Sequence, residues 1–427
     1  MSDQKAPGTN PLISTQRDKM TTRGLMVAIA IFLADTILTT QMFNISPILP
    51  VMMEELNMNL SLGNLSISLV YLFMAAGMFI SPPILGKLGT KAACNIAIFM
   101  GAAGCAMNYI VINVFTLFIS RILIGAGVGL IFATISAVIA GFFAPKYQPF
   151  LNGLYGGMPY VGNLIAIALT VPMFNGFNGS WRNALGIWSL VFILPFIVWM
   201  VFAYKKKEET DVDTGAVETN LFRKVWKYRN VKLMTLVYSM DMVVFGFSSG
   251  VIPTYLVMDY GETLERASQL TLAFPILGVI CAFSFGGVIT ATGLRKPTLC
   301  IGQISKAIGM ILICLPFSPL RVLGIGLLGA GSALWMPAFY TVIMDEKDFD
   351  AKTCAAAVAL ASAIPYIFGC VAPAIGGAVA DAIGFKPTFI IWIVPALIGL
   401  TGALLTPETG KKRNKKAEAQ AAASAGK

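Results

Sequence analysis

Twelve stretches of about 20 predominantly apolar residues follow one another along this chain, and nothing else in it restricts folding as strongly. A helix of that length crosses a hydrocarbon core of roughly 30 Å, whereas a strand in a membrane barrel alternates apolar and polar residues over about 10. The blocks run near 24–48, 65–85, 91–111, 114–142, 150–174, 183–204, 231–257, 267–290, 297–316, 320–344, 353–380 and 387–406, and their residues do not alternate. Composition agrees: 56% of the 427 residues are hydrophobic and 12% are charged, against about 25% charged in soluble domains. The expected fold class is an all-α membrane protein with twelve transmembrane helices.

The charge of +10 reads as topology rather than as a nucleic-acid surface, because the basic residues lie at the ends of the blocks. With both termini on the cytoplasmic side, about 25 of the 31 lysines and arginines fall in cytoplasmic segments, and only Arg182, Arg266, Arg321 and Lys386 fall in outer loops. An odd number of spans would destroy that bias. The expected membrane is the cytoplasmic (inner) or plasma membrane. The first 23 residues carry Lys5, Arg17, Lys19 and Arg23 with no small-residue cleavage site close behind, so the first block reads as a retained span.

Connections are short except at 205–230, which holds KKKEETDVDTG and RKVWKYR. Its basic clusters suit anionic headgroups, and a solvated loop explains them equally well. The expected organisation is a tail at 1–23, a six-helix bundle at 24–204, a linker at 205–230, a second bundle at 231–406 and a tail at 407–427.

The two halves repeat. Asp35 precedes Pro47 by twelve residues and Asp241 precedes Pro253 by twelve, an offset of 206 that Pro159-Tyr160 and Pro365-Tyr366 share. IGAG at 124–127 matches LGAG at 328–331, an offset of 204. Three matches in order imply a six-plus-six duplication into pseudo-symmetric bundles, an arrangement that puts binding sites between the repeats near the midplane.

Seven cysteines, Cys94, Cys105, Cys281, Cys300, Cys314, Cys354 and Cys370, lie in or beside apolar blocks without metal-ligand spacing. No cofactor or metal is implied, and no phosphate-cradling glycine loop occurs. The chain has no histidine, so proton chemistry near neutral pH falls to carboxylates.

Four charged side chains lie deep in the blocks: Asp35, Arg121, Asp241 and Lys306. Each sits roughly 12–16 Å from a block end at 1.5 Å per residue. A charge at that depth costs about 2.5–3.5 kcal/mol on insertion scales, so these groups should face water or one another. Asp35 shares a helix face with Thr39, Met42 and Ser46, and Asp241 shares one with Phe245 and Ser248. A carboxylate in such a partly dry site can take up and release a proton between states. A static ion pair with Arg121 or Lys306 is the competing reading. Tyr160, Asn163, Trp335 and Tyr366 are candidate cavity liners, or packing residues.

Over nearly its whole length the sequence resembles the major facilitator superfamily. FLADTILTTQMFNISPILPVM (32–52) is similar to that family's opening helix, where many drug/proton antiporters carry an aspartate before a proline-containing outer end. Arg121 with Gly125, Gly127 and Gly129 is similar to its arginine-and-glycine motif, which the resemblance links to proton coupling. GLYGGMPYVG (153–162), with Gly153, Gly157 and Pro159, resembles a glycine-proline motif common in exporters, although Met158 intervenes. PAIGGAVADAIGF (373–385) is also a familiar pattern of the family. The loop PPILGKLGTK (82–91) keeps Lys87, Gly89 and Lys91 but has Gly86 where the family carries an aspartate. Its second copy, GGVITATGLRK (286–296), has Thr290 there. The resemblance thus assigns the superfamily and no subfamily. It implies a secondary active transporter of a small organic solute, proton-coupled and working by alternating access, with export slightly favoured and the monomer as the functional unit. An importer of a small organic acid or other metabolite is the alternative, and a membrane sensor on the same scaffold a remote one. No enzyme is expected.

Overall fold

The computed structural model describes residues 22–143, 147–203, 219–346, 348–349 and 351–410. Residues 1–21 and 411–427 of the tails, Lys146 and the linker residues 205–218 lie outside them.

Every expected block is a helix. We number the spans α1 (Thr22–Glu55), α2 (Leu60–Ser81), α3 (Pro83–Ile110), α4 (Val114–Ile139), α5 (Leu154–Gly176) and α6 (Trp181–Phe202) in the first half. The second half holds α7 (Arg229–Tyr260), α8 (Leu264–Ile289), α9 (Lys296–Ile313), α10 (Ser318–Met344), α11 (Ala356–Ile383) and α12 (Phe385–Leu405). Among the described residues eleven of these are long and apolar enough to cross a membrane. The exception, α9, has 18 residues, or about 27 Å at 1.5 Å each. Buried Gln303 and Lys306 reduce its apolar character. A short helix, Thr219–Val225, precedes α7.

Local chemistry explains the breaks. Pro47 and Pro50 each stand in the first turn of a new helix within α1, where a missing N–H costs nothing, so the span bends through Ser46–Ile48 and continues. Asn59 caps α2, its side chain accepting from the Leu62 N–H at 2.9 Å, so α2 starts earlier than its apolar block. Near the start of α3, Gly89 takes φ 78° and ψ 169°, a non-helical conformation that favours glycine and kinks the chain there.

The duplication seen in sequence recurs as geometry. A Cβ on Gly125 of α4 would lie 2.5 Å from the Val70 carbonyl oxygen of α2. Its repeat partner Gly329 of α10 would place one 1.9 Å from the Phe274 carbonyl oxygen of α8, and Val70 and Phe274 stand at the same offset of 204. Gly127 abuts α3 as Gly331 abuts α9. Small residues permit these backbone contacts, which replace a hydrophobic driving force that lipid does not supply. Between halves, α2 packs on α11 and α5 on α8, two interfaces that a two-fold exchanges.

Successive spans alternate in direction, so the loops after α1, α3, α5, α7, α9 and α11 share one face, here the distal face. Hydrogen bonds between the halves gather toward it. Ser46 Oγ donates to the carbonyls of Ser249 and Gly250 at 3.1 and 2.7 Å, and the Ser61 N–H donates to Asp381 at 2.9 Å. The Ala374 N–H donates to Ser68 Oγ at 3.1 Å, Asn175 to Glu265 at 2.9 Å, and Ser268 Oγ to the Ile167 carbonyl at 2.7 Å.

The glycine contacts make a stability prediction. Gly329→Ala should push α8 from α10 and cost about 1–3 kcal/mol by overpacking, lowering the apparent melting temperature of purified protein. Gly86→Ala, where an added Cβ meets nothing within 4 Å, should melt as the parent does. Equal melting of both variants would refute the close-packing account.

Candidate functional site

Between the halves lies a cavity of about 50 Å³, well below the roughly 300–1,000 Å³ usual for small-molecule sites. The first half contributes Asp35, Thr39, Met42 and Phe43 from α1, Tyr71 and Met74 from α2, Val128 and Phe132 from α4, and Tyr155, Pro159 and Tyr160 from α5. The second contributes Tyr238, Met242 and Phe245 from α7, Met336 from α10 and Tyr366 from α11.

Asp35 is the charged member of this lining. It is buried, and neither carboxylate oxygen has a hydrogen-bond partner. Thr39 sits one turn on, but its hydroxyl turns back to the carbonyls of Asp35 and Thr36 at 2.9 and 3.0 Å. Gly162 of α5 lets α1 approach there, since a Cβ would fall 2.2 Å from Thr39 Oγ1. Tyr160 donates its hydroxyl to the Ser332 carbonyl at 2.6 Å, joining the halves at cavity depth. Tyr238 donates to the Tyr366 hydroxyl at 3.1 Å. Gly157 faces Phe283 of α8, which a Cβ would meet at 2.5 Å, and Pro159 beside it reaches the cavity. The surroundings of Gly153 lie outside the described side chains.

Asp241 does not line the cavity. Its Oδ1 accepts from Lys306 Nζ at 2.5 Å, and both side chains are fully buried inside the second half. Asp35 and Asp241, at matched sequence positions in the two halves, therefore occupy two different environments. The cavity stripe of α7 is Tyr238, Met242 and Phe245, at the same spacing as Asp35, Thr39 and Met42 in α1. Asp241 stands one residue, or about 100° of helix, off that stripe and turns to α9. Lys306 of α9 is buried as its partner.

Arg121 is likewise set apart. It is completely buried in α4, its Nη1 donates to the Gln41 carbonyl at 3.0 Å, and Nε and Nη2 have no hydrogen-bond partner. It pairs with neither aspartate, and with Asn163 and Trp335 it lies outside the cavity lining. Asn163 is buried with both amide atoms unpartnered, and Trp335 packs on Tyr238 at 4.6 Å between ring centroids. Gly125 and Gly129 serve the α2–α4 contact, a Cβ on Gly129 falling 2.0 Å from the Met74 carbonyl.

At the face opposite the distal one, Lys87 is exposed, and Lys91 Nζ donates to the Met200 carbonyl at 3.3 Å. Its counterpart Arg295 instead meets the carboxylate of Asp345, while Glu408 accepts from the Arg295 and Lys296 N–H groups at 3.0 Å each. Tyr71, Tyr155, Tyr238, Phe132, Met74 and Met336 line the cavity without having been singled out in the sequence. The repeat offset of 206 carries Asp35 to Asp241 and not to Tyr238, so the sequence match alone does not point to Tyr238.

With this geometry in place, comparison with known proteins is decisive for the class. The family model described as Major Facilitator Superfamily matches residues 28–369. The chain belongs to that family. It is 24% identical over 285 residues to the hexuronate transporter of Bacillus subtilis (strain 168), covering 64% of this chain and 65% of that protein. It is 24% identical over 241 residues to the sialic acid transporter NanX of Escherichia coli (strain K12), covering 54% and 58%. It is 26% identical over 185 residues to the myo-inositol transporter 1A of Cryptococcus neoformans var. grubii, covering 41% and 32%. The chain spans less than two thirds of the length of each of these relatives.

The Asp241–Lys306 pair makes a prediction. Removing one partner of a buried pair costs about 3–5 kcal/mol because the other charge is stranded, whereas removing both is far milder. Lys306→Met should strongly lower the melting temperature, and adding Asp241→Asn should recover much of the loss. A double variant no more stable than Lys306→Met would show that the pair does not act as a unit.

Proposed function

We propose that this chain is a secondary active transporter that carries a small organic solute through the central cavity by alternating access, coupled to protons through Asp35. The carrying observation is a buried carboxylate without a partner, set in a cavity built from both halves. Such a group is costly in a bilayer, and a role in taking up and releasing a proton or a solute accounts for its retention. In this reading residues 24–204 and 231–406 are the rocking bodies, joined by 205–230, and one chain suffices. The basic residues at the ends of the spans support cytoplasmic termini in an inner or plasma membrane. Family membership supports a carrier rather than an enzyme. Export is favoured by the glycine-proline motif, whose Gly157 and Pro159 form the α5–α8 contact and the cavity wall.

A second reading, uptake of a small organic acid, is favoured by the names of the hexuronate and sialic acid relatives. Against it, no lysine or arginine lines the cavity among the described residues.

Reconstituted protein tests the coupling. Asp35→Asn should abolish solute movement driven by a pH gradient while preserving counterflow at equal solute and equal pH. A variant that keeps the pH dependence of the parent would remove Asp35 from the coupling role.

A further inference from the structure

The lining of the cavity also bears on what it carries, an inference that rests on the transport reading above. Its electrostatics are one-sided. Asp35 brings a carboxylate with two unpartnered oxygens, and the three buried cations among the described residues lie outside the lining: Lys306 pairs with Asp241, Arg121 donates to the Gln41 carbonyl, and Arg321 faces Glu262. Three of the five tyrosines lining the cavity give their hydroxyl protons to protein acceptors. Tyr160 donates to the Ser332 carbonyl, Tyr238 to the Tyr366 hydroxyl and Tyr155 to the Phe132 carbonyl. Thr39 is bonded to its own helix. Of the polar side chains lining the cavity, the Tyr71 hydroxyl and the Asp35 carboxylate are without a partner.

What remains facing inward is ring surface and thioether. Tyr155 and Phe132 lie 5.0 Å apart between centroids, Phe132 and Tyr366 5.9 Å, Tyr160 and Phe245 5.8 Å, and Phe43 and Phe245 5.9 Å. Aromatic faces attract cations through the ring quadrupole and are the usual surroundings of quaternary ammonium groups. The methionines Met42, Met74, Met242 and Met336 add an adaptable apolar wall. A sugar acid would bring a carboxylate toward Asp35 and would find few partners for its hydroxyls, each costly to bury unpaired.

We propose that the cavity takes a monovalent organic cation, an amine or quaternary ammonium on a small apolar body, with its charge against Asp35 and its body among the aromatic rings and methionines. Cation and proton then compete for one carboxylate, which makes their movements an exchange.

Three probes on purified full-length protein in nanodiscs test this: phenyltrimethylammonium, its neutral carbon isostere tert-butylbenzene, and galacturonate, with binding followed by calorimetry. The cation should bind saturably and at least tenfold more tightly than the isostere, and Asp35→Asn should remove that tenfold preference. Phe245→Leu, which keeps apolar bulk and deletes a ring face, should weaken the cation several-fold and leave the isostere unchanged. It serves as the second arm should Asp35→Asn fold poorly. Tighter binding of galacturonate than of the cation, or an unaltered cation preference in Asp35→Asn, would overturn the proposal. Proteoliposome exchange separates the two readings. Galacturonate counterflow without cation binding removes the cation class and leaves transport standing. Saturable cation binding with no exchange of any probe supports the class and overturns transport.

Discussion

A carboxylate without a partner at mid-depth of an apolar helical bundle is the constraint around which this molecule is arranged. Low dielectric magnifies the penalty for an isolated charge, and the second half of the chain avoids it by giving Asp241 a lysine at 2.5 Å. The first half provides no such relief for Asp35. The position corresponding to Lys306 at the repeat offset of 204 is Ala102. Two copies of one ancestral bundle thus hold similarly placed acids in opposite conditions, one neutralised inside its own half and one presented between the halves. Asymmetry of this kind suits a coupled carrier, in which one element must respond to its occupant while the scaffold around it stays fixed.

The scaffold is fixed by close backbone approach. Gly125, Gly129, Gly329 and Gly331 leave no room for a side chain against the facing backbone, so each half is bound internally by contacts that tolerate little displacement. The contacts between halves differ in kind. Ser46, Ser61 and Ala374 make isolated polar contacts across the interface, and the cavity itself is lined by methionine and aromatic side chains that can repack. Rigid bodies with a softer seam follow directly from where the glycines fall.

Much of this was legible in the sequence. Block length and the absence of alternation dictate helices, and alternating charge bias dictates an even count. The IGAG and LGAG repeat locates the α4 and α10 contacts to the residue. Register was less legible. Matching Asp35 to Asp241 by their spacing to Pro47 and Pro253 implies equivalent roles, yet the helix rotation that defines the cavity face aligns Asp35 with Tyr238, three residues earlier. A proline bend can shift rotation without changing sequence spacing, and side-chain direction turns by about 100° for each residue, so a short offset moves a group from the cavity to the bundle interior. Lys306 was legible only in part: its depth calls for a counter-charge, and only the neighbouring helix reveals which acid it meets. Tyr71, Tyr155, Tyr238, Met74 and Met336 gave no chemical signal because they are ordinary core residues until two bundles face each other.

The seam at the distal face bears on how such a molecule changes state. Its hydrogen bonds involve serine hydroxyls, backbone groups, an asparagine and two carboxylates that accept from neutral donors. Single hydrogen bonds contribute a net of about 0.5–1.5 kcal/mol each, so a handful holds the face shut by a few kcal/mol. Moving a two-state population from 1:99 to 99:1 requires about 5.5 kcal/mol of differential binding. The two quantities are of similar size. A buried ion pair across the seam would have made separation much costlier, because parting it strands two charges. The ion pair that this protein does bury, Asp241 with Lys306, lies within one half, where rocking of the halves leaves it intact. The cavity beside Asp35 measures about 50 Å³, so in the proposed mechanism an occupant of ordinary size would hold the halves apart. Closing the seam and solvating the carboxylate would then compete directly, and in that mechanism the group that is not neutralised locally is the one through which binding would act on the position of the two bundles.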